Sequence, residues 1–157
     1  MLLEYFQMVD RVEVIDAAAQ TIECTAAVPG ESTVFEGHFP GYPLMPGTLL
    51  VETVAQAGGW LLMALNDHAQ LPILIQVVKA KIRDAVEPGT LLQVNARVLQ
   101  ISSGIAAIEG HITAKDRRVA ECEIRYRTMP FPNDTLRDMV VAQAAQIGAT
   151  LGTDSTN

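Results

Sequence analysis

One segment dictates what the rest of the chain must do: a helical run of about residues 46–66 that is apolar nearly all the way round. Nothing after Pro46 breaks a helix until Gly58-Gly59, and Pro46 suits a first helical position because the N–H it lacks would be unpaired there. Such a helix is roughly 30 Å long at 1.5 Å per residue, long for a chain of 157 residues. Leu49, Leu50, Val51, Val54, Ala55, Trp60, Leu61, Leu62, Met63 and Leu65 leave little of its circumference polar, which is the pattern of a helix enclosed by other structure. Glu52 and Gln56 interrupt the run and argue against a membrane span. Thr48, Glu52 and Gln56 recur every four residues, so they share one face as a narrow polar stripe. Gly58-Gly59 fits close packing or a kink better than any chemistry.

What encloses the helix is a set of strands. RVEVID and TIECTAAV read as two strands joined around Ala18 to Gln20. A turn at Pro29-Gly30-Glu31-Ser32 passes through Thr33-Val34-Phe35 to Gly37-His38. From Leu71 onward PILIQVVKAKI, TLLQVNARVLQI, IAAIEGHIT and RVAECEIRYRT are rich in β-branched residues and separated by turn residues. In the last of these Ala120, Cys122, Ile124 and Tyr126 alternate with Glu121, Glu123, Arg125 and Arg127, as in a sheet with one wet face. The expected class is α+β, with a curved antiparallel sheet wrapped around one central helix. Pro130 and Pro132 end the sheet. Leu136, Met139, Val140 and Ile147 then predict an appended helix capped at Asn133, and 150–157 reads as a disordered tail. The main domain is therefore expected over 1–132 and the appended helix over 133–149.

The segment leading into the helix is stiff. Pro40, Pro43 and Pro46 fix φ and push Phe39, Tyr42 and Met45 towards extended geometry, so His38 sits on a constrained, non-helical approach. A neutral imidazole is a competent general base near physiological pH. A glutamate among Leu and Val has its charged form disfavoured, so Glu52 is a candidate acid. The first N–H groups of a helix lack internal partners, and Gly47 has no side chain to keep a carbonyl oxygen from its N–H. Base, acid and oxyanion donor together suit proton abstraction beside a carbonyl, with loss or addition of water. Each group alone has a plainer reading: a hydrogen-bonded loop histidine, or an internal Glu–Gln pair. Only their combination favours chemistry. His68 and His111 read as surface histidines, on a loop and a strand.

A formal charge of −7 and a pI near 4.8 argue against a general nucleic-acid or anionic-membrane surface. The charge is uneven, because residues 1–67 hold nine acids against Arg11 alone, while 68–133 hold nine Lys/Arg against six acids. Lys79, Lys81 and Arg83 alternate along a strand and so share a face that suits an acidic partner, or simply a solvated strand face. Cys24 and Cys122 stand apart with no metal-ligand spacing, so no metal, no cofactor and no disulfide are expected. The amino terminus, MLLEYFQMVDR, has no leader pattern, which predicts a soluble cytoplasmic protein.

The stretch GHFPGYPLMPGTLLVETVAQ closely resembles the signature of the 3-hydroxyacyl-[acyl-carrier-protein] dehydratases of the FabZ type, which have the hotdog fold. The His-Phe-Pro-Gly, the Pro-x-x-Pro-Gly, the Glu fourteen residues after the His and the following Ala-Gln all match, and a looser likeness runs from Tyr5 to Arg127. The resemblance implies that His38 is the base, Glu52 the acid, Gly47 the N–H donor to the thioester carbonyl, and Gln56 the residue that orients Glu52. The sister FabA type has Asp at the acidic position, so Glu52 points to the FabZ side. The family further implies acyl carrier protein as the substrate carrier, a homodimer whose sites pair His38 of one chain with Glu52 of the other, and in some members a trimer of dimers. Trp60 and Leu61 are candidates for the wall of the acyl tunnel. The later segment AKIRDAVEPGT departs from the family's ARFxRPVxPGD at Ile82, Ala85 and Thr90. The competing readings are a hotdog thioesterase and a non-catalytic acyl-thioester binding module.

Overall fold

The computed structural model describes residues 1–151. After a 3-10 turn at Leu3–Tyr5 come β1 (Arg11–Asp16), β2 (Thr21–Ala27), the short helix α1 (Thr33–Gly37) and the central helix α2 (Gly47–Leu65). Four long strands follow, β3 (Gln70–Ile82), β4 (Leu91–Ser102), β5 (Ile105–Ala114) and β6 (Arg117–Pro130), and then α3 (Asp134–Ile147). The six strands form one antiparallel sheet in the order β1-β2-β4-β5-β6-β3. The sheet packs on α2 as the sequence implied, an α+β hotdog arrangement. The helix is long and apolar enough to cross a membrane, but 67% of its apolar window is buried inside the protein, where it serves as the core axis.

Every second residue of the inner strands meets α2. On β5, Ala106, Ile108, Gly110, Ile112 and Ala114 are buried, and on β6 Ala120, Cys122, Ile124 and Tyr126 are, as the alternation required. Two close approaches fix the distance between helix and sheet. A Cβ on Gly110 would lie 2.5 Å from Val54 Cγ1 and 2.8 Å from the Asn95 carbonyl, and one on Gly58 would lie 2.9 Å from the Tyr126 hydroxyl. Close packing is therefore the role of Gly58. Tyr126 then donates to the Ala55 carbonyl at 2.7 Å, so its polar end is satisfied inside the core. Cys24 and Cys122 are free and buried, and burial pushes both thiols up to about 12.

Several local expectations are corrected. Pro46 precedes the helix as its N-cap, with ψ 132°, and the helical turns begin at Gly47. Thr33–Gly37, through which the chain passes to His38, forms a short helix capped by the Ser32 hydroxyl, an element the sequence reading did not assign. The sheet does end at Pro130, as expected, and Pro130 pairs with Gln70 at the last rung of the β3–β6 ladder. His68 is buried, not superficial: the chain turns there in a left-handed conformation (φ 53°) at the end of α2, and Arg137 of α3 donates to its carbonyl at 2.9 Å. The Asn133 cap of α3 accepts from Leu136 N at 2.8 Å. Met139 falls on the outward side of α3 and is 65% exposed, while Val140, Ala144 and Ile147 face the body. Of the tail expected over 150–157, residues 152 onward lie outside the described residues.

Candidate active site

The loop after α1 is closed on itself. His38 and Leu44 meet across it: the Leu44 N–H donates to the His38 carbonyl at 2.8 Å, and His38 Nδ1 lies 3.0 Å from the Leu44 carbonyl. A carbonyl only accepts, so Nδ1 carries the proton and Nε2 keeps its lone pair. Phe39 and Tyr42 exchange a pair of backbone hydrogen bonds inside this loop, with Gly41 taking the positive φ of 74° that the turn needs. The Phe39 ring stacks on the imidazole at a centroid distance of 4.1 Å. Met45 N donates to the Val86 carbonyl at 2.8 Å, which moors the loop to the chain beyond β3. The prolines limit the backbone, and these bonds fix where it goes.

The helical ladder of α2 starts with Leu49 and Leu50, both donating to the Pro46 carbonyl at 2.9 and 3.3 Å. The N–H groups of Gly47 and Thr48 are left outside the ladder at the positive end of the helix. A Cβ on Gly47 would lie 3.0 Å from Ile82 Cγ1, so the end of β3 leans against the helix start.

Glu52 lies one to two turns further along. It is partly exposed in the single chain, where the sequence implied full enclosure, because the polar stripe of α2 is the one side the sheet does not cover. Gln56 holds it: Nε2 donates to Glu52 Oε1 at 2.9 Å and to the Phe6 carbonyl at 2.6 Å, while Gln56 Oε1 accepts from Met8 N at 2.9 Å. The expected Glu52–Gln56 contact is present. The amino-terminal segment that clamps Gln56 was not visible in the sequence, because it acts through backbone groups some fifty positions away that no side-chain pattern marks.

The remaining candidates are less concentrated. No hydrogen bond joins His38 to Glu52 among the described residues of one chain. Trp60 and Leu61 are buried core residues, at 7% and 0% exposure. Lys79 stands opposite Glu123 and Lys81 opposite Glu121 in the β3–β6 register, and Arg83 pairs with Glu121 at 2.8 Å. The Arg83 hydrogen bond holds the Glu121 carboxyl below its usual range. A cleft of about 520 Å³ opens on the outer face of the sheet, among Glu23, Arg97, Glu109 and His111, on the side away from α2. It touches none of His38, Gly47, Glu52 or Gln56.

Residues 1–123 match the model of the FabA-like domain family. A 3-hydroxyacyl-[acyl-carrier-protein] dehydratase FabZ of Protochlamydia amoebophila is 36% identical over 121 residues, covering 77% of this chain and 79% of its own. The corresponding dehydratase of Campylobacter curvus is 35% identical over 127 residues, covering 76% and 85%. Among solved structures, a conserved protein of Pseudomonas aeruginosa superposes with a TM-score of 0.63 at 17% identity, over 80% of this chain and 91% of that one. A hypothetical thioesterase of Streptococcus pneumoniae, crystallised with coenzyme A, gives 0.60 at 12% identity over 78% and 90%. At that identity the two structures speak for the fold alone.

Proposed function

The chain belongs to the FabA-like family, and on that membership we propose that it converts 3-hydroxyacyl-[acyl-carrier-protein] thioesters to trans-2-enoyl thioesters with loss of water. It is a dehydratase of fatty acid or lipid acyl-chain biosynthesis. The observation that carries this reading is 36% identity with such a dehydratase across 121 residues.

In this reading His38 Nε2 takes the proton from C2 of the acyl chain, since Nδ1 is engaged by the Leu44 carbonyl. The thioester carbonyl oxygen, which gathers charge as that C–H bond breaks, accepts from the Gly47 N–H. Glu52, oriented by Gln56, delivers a proton to the C3 hydroxyl as the C–O bond breaks. The electron pair of the C2–H bond becomes the C2–C3 double bond, and water leaves. The same groups run hydration in reverse. The hotdog dehydratase unit takes in residues 1–132, with α3 as an appendage.

Two protomers complete each site. Among the described residues β3 pairs only with β6, and its faces carry Ile73, Leu74, Ile75, Val77, Val78 and Ile82, all 41–46% exposed. A thirteen-residue strand with an unpaired edge is a template for another strand. A second copy paired there would cover this edge beside Gly47 and bring its own His38 loop towards Glu52, with a trimer of dimers as the larger assembly. The acidic carrier docks at Lys79, Lys81 and Arg83, weakly, because glutamates of β6 already face these charges. The enzyme is soluble, and we place it in the cytoplasm.

The test is turnover of 3-hydroxyacyl carrier proteins of several chain lengths by the wild type, His38→Ala and Glu52→Gln. Each variant is expected to lose about 10²–10⁴-fold in kcat. Full activity in either would sink the assignment.

A further inference from the structure

The clamp on Gln56 reaches further than Glu52. The segment that supplies it folds back on itself, with Leu2 and Gln7 exchanging hydrogen bonds at 2.8 and 3.0 Å. Leu3 and Met8, 1% and 0% exposed, fasten it to the core as apolar pegs. From this segment Glu4 extends to the start of α1. Its Oε1 accepts from Ser32 Oγ at 2.6 Å, from Thr33 N at 3.0 Å and from Thr33 Oγ1 at 3.4 Å. Ser32 is the N-cap of α1: its hydroxyl donates to Glu4 and accepts from Val34 N at 3.1 Å. The Ser32 hydrogen bond is the leading cause that holds the Glu4 carboxyl below its usual range. Five residues later the helix ends, and His38 is its C-cap.

We propose that Glu4 is a positioning residue for the dehydration: it ties the segment that orients Glu52 to the short helix that carries His38. This rests on the roles given above to those two residues. Glu4 touches neither of them. It acts on one through the Phe6 and Met8 backbone and Gln56, and on the other through the Ser32 cap. With working pairs drawn from two protomers, His38 and Glu52 of one chain serve different sites. The link therefore runs from the acid of one site to the base of the other, and slack introduced at Glu4 loosens both.

The experiment compares steady-state dehydration by the wild type, Glu4→Ala and Glu4→Gln, with amide hydrogen exchange on the same proteins. Glu4→Gln keeps the accepting Oε1, and Glu4→Ala removes it. Loss of geometry at a reacting centre lowers kcat more than KM, so Glu4→Ala is expected to fall about tenfold in kcat at unchanged KM while Glu4→Gln stays within about threefold. Exchange should quicken in Glu4→Ala at both Val34 and Met8, on the two sides of the link. Glu4→Asp, which keeps the charge but withdraws it by one methylene, is the second variant and should show the same fall, so the test does not hang on the folding of Glu4→Ala. Wild-type kcat in Glu4→Ala, equal losses in Glu4→Ala and Glu4→Gln, or faster exchange at Val34 alone overturns the inference. A wild type inert on every hydroxyacyl thioester defeats the functional reading and this inference with it. An active wild type with an unmoved Glu4→Ala defeats this inference alone.

Discussion

His68 shows at the residue scale what a pattern of residue types cannot express. It is 7% exposed, in a left-handed turn, with Nε2 unpartnered among the described residues and the Arg137 guanidinium on its carbonyl. Burial is the leading cause that holds its pKa below the ordinary histidine value, the Arg137 charge lowers it further, and Asp67 pulls the other way. The unfolded chain therefore takes up a proton at this position at a higher pH than the folded one. Stability is lost as pH falls from about 6.5 towards the lowered folded value and is flat above that window. His111 adds to the same slope, because burial and Arg118 lower its pKa too. His68→Asn, which tolerates the left-handed backbone, should flatten the dependence of Tm on pH below about 6.5. An unchanged slope would count against it. His38 was legible in the sequence because three prolines follow it closely. His68 was not, because the Arg137 that bonds its carbonyl lies on α3, 69 positions further along.

At the scale of elements, the distance between α2 and the sheet rests on positions with no side chain. Gly110 of β5 faces Val54 at a separation that leaves no room for a methyl group, with the Asn95 backbone close on another side. Gly110→Ala must push α2 outward or distort β5, at a cost of roughly 1–3 kcal/mol, which chemical denaturation of the variant checks. A midpoint within error of the wild type would show that the helix has slack to move. Gly58 was readable as a packing glycine because it interrupts a continuous apolar helix. Gly110 was not, because within IAAIEGHIT nothing distinguishes a glycine under a helix from one in a wet strand. The same limit applied to α1, whose five residues carry no helical period and are fixed by the Ser32 cap and Glu4.

At the scale of the whole molecule, the outer edge of β3 is unpaired among the described residues. If two copies meet there, mixing His38→Ala with Glu52→Gln restores activity, although each alone is inactive. Random exchange makes half the dimers mixed, and each mixed dimer has one intact site, so about a quarter of wild-type activity should return. No recovery after verified exchange would mean that each site is built within one chain. Ile75→Glu on the open edge is expected to give monomers by analytical ultracentrifugation and to abolish turnover in parallel. The sequence by itself determined the enclosed helix and the alternating strands around it, and it singled out the residues proposed to react. Those follow from hydropathy period, proline and glycine chemistry, and a motif contiguous along the chain. Tertiary structure alone decided what holds those groups. Gln56 is clamped by backbone at positions 6 and 8, α1 is capped through Glu4, and Gly47 lies close against Ile82. Each of these contacts joins residues 28 to 50 positions apart through backbone atoms, an exposed carboxylate or the absence of a side chain, and none leaves a period in the sequence.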